Sequence, residues 1–372
     1  MSVRAGFLTV HRWLGVGLAV LLLLQGLTGA VLVFRKEANL LLHPGALLVR
    51  PEGAARPVSD LLALVGDAHP GATVARIEYP ASPDQAFLFR LQQDGALRLA
   101  AVDPYRATVL RSAGLAGWPV ELLYQWHDNF LAGAPGLTLV GFLGLGLLLM
   151  TVSGPVLWWP GRRRLGQGFR PVLGVGSYRA VLDLHRIGGV LLALLLAGSA
   201  VTGIGMAWRG SLLAALSPLM PTAAAPAPAV AERPDRALLP LDAVVAAVRG
   251  EAGGLPVRNV RFPGGHSRVV LVFLEDAGAG RPRAVRQVWA DGYTGAVLAT
   301  YGAGSAAPGN AFLDWMLPLH AEIAAGLPGR LLVLAGGLAL AALAGSGVWI
   351  WWRKRGFRRS LAAKRAAAVS AP

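Results

Sequence analysis

The chain contains no cysteine, which excludes disulfides, thiolate zinc sites, cysteine-held iron–sulfur clusters and covalent c-type haem attachment. Any metal or haem must therefore be held by His, Met or oxygen ligands. Charge is scarce as well. Only 15% of the 372 residues are Asp, Glu, Lys or Arg, against 54% hydrophobic, and the mean hydropathy is +0.52. Several apolar runs reach about 20 residues, enough to cross a ~30 Å hydrocarbon core at 1.5 Å per residue. These shortages and runs describe a polytopic α-helical membrane protein in a lipid bilayer. Acids are the scarcer charge, 20 against 35 bases, for a net charge of +15. In a membrane protein that excess is read by where it lies along the spans, and nucleic acid is not an expected partner.

What the chain does have is repetition. His11 to Phe34 (HRWLGVGLAVLLLLQGLTGAVLVF) and His185 to Trp208 (HRIGGVLLALLLAGSAVTGIGMAW), aligned without a gap, agree at ten of 24 positions. The agreements include His11-Arg12 with His185-Arg186, Gly15 with Gly189, and Thr28-Gly29 with Thr202-Gly203. Shared apolar composition would match leucine and alanine, not a histidine. His127 to Trp159 and His320 to Trp352 agree at 14 of 33 positions, among them the histidines, Pro135-Gly136 with Pro328-Gly329, Ser153-Gly154 with Ser346-Gly347, and Trp158-Trp159 with Trp351-Trp352. Between the spans, VDPYRATVL and ADGYTGAVL pair Asp103 with Asp291 and Tyr105 with Tyr293. One module of helix, small domain and helix has been made twice.

The expected order is a first transmembrane helix over 7–34, an extramembrane α+β unit over 35–126, a histidine segment with the second transmembrane helix over 127–159, and a basic loop over 160–181. A third transmembrane helix follows over 182–208, then a Pro/Ala linker with a second α+β unit over 209–319, a histidine segment with the fourth helix over 320–352, and a basic tail over 353–372. Arg12 lies inside the first span and GAVLVFRKE offers no small-x-small cleavage site, so the span reads as a retained helix and not a signal peptide. In the first α+β unit VSDLLALVGDAH has helical spacing, and ATVARIEY, AFLFRLQ, ALRLAAVD and ATVLRS alternate as strands between SPDQ, DG and DPYR turns. The second repeats the plan with LLPLDAVVAAVRGE as helix and VRNVRFP, SRVVLVFLED, RAVRQVWAD and AVLATYG as strands. Each reads as one helix over an antiparallel sheet. The stretch SPLMPTAAAPAPAVAERPDR between them has no core-forming content.

Arginine and lysine cluster beside the spans on one side only: Arg4 and Arg12, the loop from Arg162 to Arg186, and the tail from Arg353 to Arg365. The positive-inside rule places these and both termini in the cytoplasm and the α+β units outside, with Trp158, Trp159, Trp349, Trp351 and Trp352 as an interfacial belt.

Four of the seven histidines obey the repeat. His11 and His185 enter helices one and three from the cytoplasmic face; His127 and His320 precede helices two and four on the outer face. Two facing imidazoles at each face, without cysteine, match a six-coordinate b-type haem gripped by one histidine from each of two helices, hence two haems. On a helical wheel His11, Gly15, Leu18, Leu22, Gln25 and Gly29 share a stripe, as do His185, Gly189, Leu192, Leu196, Ser199 and Gly203. A glycine one turn from the ligand leaves room for a flat macrocycle, and Arg12 and Arg186 are placed to pair with haem propionates. Zinc or copper on the same histidines, and plain interfacial packing, are the competing readings. His43, His69 and His266 lack repeat partners and read as surface or turn residues. Gly26 with Gly29 and Gly144 with Gly146 read as helix-packing contacts, and Asp103, Tyr105, Asp291 and Tyr293 as structural turn residues.

The motifs LTVHRWLGVGLAVLLLLQGLTG, YQWHDNFLAGAPG with SGPVLWWP, LDLHRIGGV with VTG, and LPLHAEIAAGLPGR with SGVWIWWRKR resemble the PepSY-associated transmembrane family, iron-regulated membrane proteins that include ferric-siderophore reductases. The likeness runs from His11 to Arg355. It implies four transmembrane helices in a bacterial inner membrane and two periplasmic PepSY-like domains. It also implies two non-covalent b haems, on His11, His127, His185 and His320, that carry electrons outward to reduce siderophore-bound or otherwise chelated ferric iron. The sequence departs from the family pattern at HAEIAAG, which lacks the first glycine usual after the last histidine. No flavodoxin or ferredoxin-reductase stretch follows Arg355, which leaves the electron donor unidentified; a cytoplasmic partner or a quinol is the expectation. Two other functions fit the same residues: a non-enzymatic membrane scaffold whose PepSY-like units bind partners, and a quinol-linked b-type cytochrome serving another acceptor.

Overall fold

The computed structural model describes residues 2–172, 176–263, 268–279, 284–302, 307–321 and 323–369. Its helices are α1 (Val3–Leu32), α2 (Arg35–Leu42), α3 (Pro44–Leu47), α4 (Val58–Ala68), α5 (Pro119–Asn129), α6 (Gly133–Trp158) and α7 (Leu165–Gly168), then α8 (Gly176–Leu191), α9 (Ala193–Ala207), α10 (Arg209–Leu216), α11 (Leu241–Glu251), α12 (Pro308–Asp314), α13 (Met316–His320) and α14 (Gly326–Val369). The strands are β1 (Thr73–Glu78), β2 (Phe87–Gln93), β3 (Ala96–Asp103), β4 (Thr108–Gly114), β5 (Val257–Arg261), β6 (Val269–Glu275), β7 (Val285–Asp291) and β8 (Val297–Gly302). They form two compact units: a helical one of Met1–Val33, Tyr124–Arg209 and Met316–Pro372, and a sheet unit of Phe34–Leu123 and Gly210–Trp315.

In the helical unit α1, α6 and α14 are each long and apolar enough to cross a membrane, with mean hydropathies of 2.1, 2.0 and 2.1. The single third helix expected over 182–208 is instead two helices, Tyr178–Leu191 and Ala193–Ala207, bent by 59°. Gly188 and Gly189, one turn before the bend, make the helix weakest there. The described residues thus hold three candidate spans, or four with the bent pair counted as one. The last span does not stop at Trp352. Its Ala, Leu, Lys and Arg residues are good helix formers, and Arg353 and Arg355 lie over the rings of Trp349 and Trp351 at 5.6 and 5.4 Å, so α14 continues through the basic stretch.

Helix α1 packs on α14 and α6 on α9, with Leu22, Leu143, Leu196 and Leu340 meeting in the middle. The α1–α14 crossing is set by two glycines. A β-carbon on Gly26 would stand 2.5 Å from the Gly337 carbonyl oxygen, and one on Gly337 would stand 2.6 Å from that of Gly26. Backbones this close exclude any side chain at either position.

In the sheet unit the two α+β halves join edge to edge. All eight strands form one antiparallel sheet of order β4-β3-β2-β1-β5-β6-β7-β8, in which the first strands of the halves pair through Arg76↔Arg261, Ile77↔Val260 and Glu78↔Asn259. Strand alternation sends Phe87, Phe89 and Leu91 of β2, and Val270, Val272 and Leu274 of β6, to one face. There they pack under Leu61 and Val65 of α4 and Val244 and Val248 of α11. The two helices cap one another: Asp242 accepts the Val58 and Ser59 backbone N–H groups at 2.9 and 2.8 Å, while the Ser59 hydroxyl accepts the Asp242 N–H at 3.3 Å. The opposite face is covered too, which explains why β6 is apolar from Val269 to Leu274. Trp118, Ala46 and Leu99 close it in the first half, and Val230 packs over Leu271, Phe273 and Trp289 in the second. The Pro/Ala stretch expected to be a bare linker thus contributes to a core, tied down by Arg233 to Asp291 at 3.1 Å.

One buried charge cluster holds the first half together. Glu121, 2% exposed, accepts from Arg35 at 2.9 and 2.5 Å, Asn39 at 2.9 Å and Arg90 at 2.7 Å, and Arg90 also donates to Glu78 at 2.7 Å. Burial raises the Glu121 pKa, but the hydrogen bonds and charges of Arg35 and Arg90 outweigh it and hold the group at about 2. Removing the carboxylate leaves Arg90 with Glu78 alone and takes an acceptor from Arg35 and Asn39, so Glu121→Ala should cost up to about 3–5 kcal/mol in thermal or denaturant unfolding. Since the folded pKa lies below the ordinary 4.5, the stabilisation should be whole above that pH and drain away as pH falls towards 2; a midpoint flat across that range would contradict the cluster's role.

Candidate functional site

The polar stripe of α1 runs along α6 and onto α5. Its first residue, His11, meets Ser153, with Nδ1 2.8 Å from the hydroxyl. One turn on, Gly15 faces the Met150 side chain, and Leu18 fills the space over Gly146. At the far end the Gln25 amide donates to the His127 carbonyl at 2.8 Å, and Gly29 lies against the His127 ring. The second repeat does the same with α8, α9 and α14: His185 meets Ser346, Gly189 faces Leu343, and Gly203 lies against the His320 ring.

His127 and His320 stand on helices of their own, α5 and α13, ahead of the long spans. After α5 the chain reverses through Phe130, Leu131 and Gly133, all with positive φ (52°, 60° and 59°). Two consecutive non-glycine residues there are uncommon and costly. Phe130 is anchored by packing beside Leu22 and Leu143 in the bundle core. The reversal turns α5 back over the end of α1, so that His127 and His320 face one another with ring centroids 6.2 Å apart at an interplanar angle of 59°. His11 and His185 stand at equivalent positions of the two repeats, each on a hydroxyl of the facing span. Along α1, His11 and Thr28 are about 17 residues apart, so the two histidine levels are separated by ~25 Å.

All four imidazoles sit in the same kind of seat. Nδ1 of His11, His127, His185 and His320 lies 2.8, 2.9, 2.9 and 2.9 Å from the hydroxyls of Ser153, Thr28, Ser346 and Thr202. Each hydroxyl is followed in sequence by the glycine that the same ring rests on. A β-carbon would stand 3.0 Å from His127 Cε1 at Gly29, 3.3 Å from His185 at Gly347, 3.4 Å from His320 at Gly203 and 3.7 Å from His11 at Gly154. Gly29, expected to be a packing contact with Gly26, is therefore part of a histidine seat, whereas Gly26 and Gly144 do pack helix on helix. These hydroxyl–glycine pairs had a signal in the sequence: all four are repeat-matched positions amid varying apolar residues. Their partners were invisible there, because each pair serves a histidine more than 90 residues away.

The flanking arginines differ. Arg12 stacks over Trp13 at 5.2 Å, and its Nε is buried without a hydrogen-bond partner among the described residues. Arg186 shares Asp183 with Arg179, at 3.9 and 2.9 Å. His43 packs edge-on against Trp118 at 4.8 Å, and His69 ends α4 beside Ser112 at 3.0 Å, both in turns as expected; His266 lies outside the described residues. Asp103 and Asp291 accept the backbone N–H two residues on, at 2.8 and 2.7 Å, so they build turns. No group of three or more His, Cys, Asp or Glu residues suited to a metal ion occurs among the described residues. Each level offers two imidazoles, short of the three or four protein ligands of a zinc site.

The seats predict a graded response. Gly29→Ala should push the His127 ring and shift its imidazole NMR signals, while Gly154→Ala, whose β-carbon would meet the His11 ring at an ordinary contact distance of 3.7 Å, should leave those of His11 in place. Equal disturbance by both would contradict the packing.

No curated relative matches the chain significantly. The family model described as the PepSY-associated TM region matches residues 8–354, so it covers all four histidines and their seats, both α+β halves and most of every candidate span. With three candidate spans or four, the chain is a multi-pass membrane protein, and it belongs to the PepSY-associated TM region family.

Proposed function

We propose that the protein is a transmembrane electron carrier with two b-type haems, one per histidine level, that reduces a ferric siderophore or similar ferric chelate. The observation that carries the reading is the pair His127 and His320. Their ring centroids are 6.2 Å apart, and two imidazoles bonded at ~2 Å to one metal need centroids ~6 Å apart. A donor set of two imidazoles suits a metal whose remaining positions a porphyrin fills. When bound, haem would supply one-electron Fe(III)/Fe(II) chemistry.

The protein's own part is to hold and insulate. His11 with His185, and His127 with His320, would each hold one haem iron through two imidazoles, and a haem so held would supply outer-sphere electron transfer. The orphan Nε of Arg12 supports propionate pairing there, and Arg186 would do so while shared with Asp183. Levels ~25 Å apart suit one centre near each membrane face. The positive-inside pattern favours both termini in the cytoplasm and the sheet unit on the opposite side, which the family resemblance makes the periplasm of a bacterial inner membrane. A cytoplasmic partner or a quinol would give the electron. The ferric chelate would accept it, and hard-oxygen chelators hold Fe(II) less tightly than Fe(III), so the metal would be released.

Purified protein reduced with dithionite should show b-type bands for about two haems per chain. His11→Ala or His185→Ala should each remove the same one, and His127→Ala or His320→Ala the other. Anaerobic addition of ferric siderophores should reoxidise the reduced protein. Colourless protein expressed with ample haem would leave the scaffold reading in its place.

A further inference from the structure

The four seats carry more than their shape. A serine or threonine hydroxyl has one proton to give. At each seat it already has a carbonyl on its own helix to receive it: Thr28 Oγ1 lies 2.8 Å from Leu24 O, Ser153 Oγ 2.7 Å from Leu149 O, Thr202 Oγ1 2.7 Å from Gly198 O and Ser346 Oγ 3.1 Å from Leu343 O. Back-bonding of this kind is the usual resting state of such residues inside helices. With its proton so placed, the hydroxyl oxygen has only lone pairs to offer the ring, and Nδ1 must be the donor. In a neutral imidazole with the proton on Nδ1, Nε2 bears the lone pair.

We propose that Thr28, Ser153, Thr202 and Ser346 are positioning residues that lock all four imidazoles as the Nδ1–H tautomer and so reserve every Nε2 for the metal. The glycine after the hydroxyl completes the device at Gly29, Gly347 and Gly203, where a β-carbon would stand 3.0, 3.3 and 3.4 Å from the ring; at Gly154 the ring leaves room for one at 3.7 Å. A hydroxyl in this place is a neutral acceptor, so it orients the ligand while raising its basicity less than a carboxylate would. In an apolar bundle it also avoids burying four negative charges. The role as ligand support rests on the haem reading above; the tautomer does not.

The full chain, prepared without porphyrin and labelled with 15N in its histidines, tests the tautomer directly. Four rings with the Nδ1–H signature are expected from His11, His127, His185 and His320. Thr28→Val keeps the shape and removes the acceptor, so the His127 ring alone should lose that signature. On titration with haemin one of the two sites should then bind about 10- to 100-fold more weakly, with a raised midpoint potential because the ligand donates less to Fe(III). Thr28→Ser should restore both, and Ser153→Ala should repeat the effect at the other level through His11. Rings found in the Nε2–H form, or a Thr28→Val protein with tautomer and haem affinity unchanged, would overturn the proposal. A chain with four Nδ1–H rings that binds no haem would remove the function proposed above and leave the tautomer assignment standing.

Discussion

An imidazole placed inside an apolar helical bundle must find a partner for its ring N–H, because nothing in hydrocarbon will supply one. In this protein the hydroxyl of a neighbouring helix meets that demand four times, and much of the bundle follows from it. Ser153 must face α1 for His11, so α1 and α6 run side by side with their stripes in register from His11–Ser153 to Gly29–His127. The ring needs room beside the hydroxyl, so a glycine follows it. The histidine at the other end must come from outside the span, so α5 folds back through Phe130 and Leu131 at positive φ. Conformational cost is spent where the chemistry would be, a familiar property of functional sites.

Duplication then does the assembling. Within each copy the second span seats the histidine of the first, and the first seats the histidine on the short helix ahead of the second, so a single copy is already interlocked. Between copies the contacts come in matched but unequal forms. At the α1–α14 crossing Gly26 meets Gly337 carbonyl to backbone, while at the equivalent α6–α9 crossing Gly144 meets Ile204 and the carbonyl of Ala200, the latter 3.5 Å from where its β-carbon would be. One crossing is thus closer than the other. The sheet unit is assembled on the same plan. Ser59 and Asp242 occupy equivalent positions in α4 and α11 and cap each other's helix, and β1 and β5 close eight strands into one sheet. Two halves that would each leave an exposed strand edge cover it with one another.

The charged residues divide by purpose. Glu121, Arg35, Arg90 and Glu78 form a buried network whose members satisfy one another, as a stabilising cluster must if it is not to cost more than it returns. Arg12 beside His11 keeps a buried donor without a partner.

Repetition in the sequence determined the module, the spans within a few residues at most ends, the strands of both α+β halves with α4 and α11, and which four histidines recur between the copies; the short helices α2, α3 and α12 were not legible there. Those features depend on local periodicity and on matches between copies, and both are written linearly in the chain. What only the tertiary structure decided were the relations between distant residues. Thr28 serves His127 across 99 positions and Ser346 serves His185 across 161. The α1 stripe did not reveal which helix it would face, nor did the glycine at position 29 show whether it was packing or seat. The bend at Leu192, the single continuous sheet and the core made by Val230 were likewise unreadable, because each depends on what lies against the segment in space and not on its own residues. A pattern of side chains along a chain fixes what a segment can become, and the partner that satisfies its polar groups is chosen only when the chain has folded.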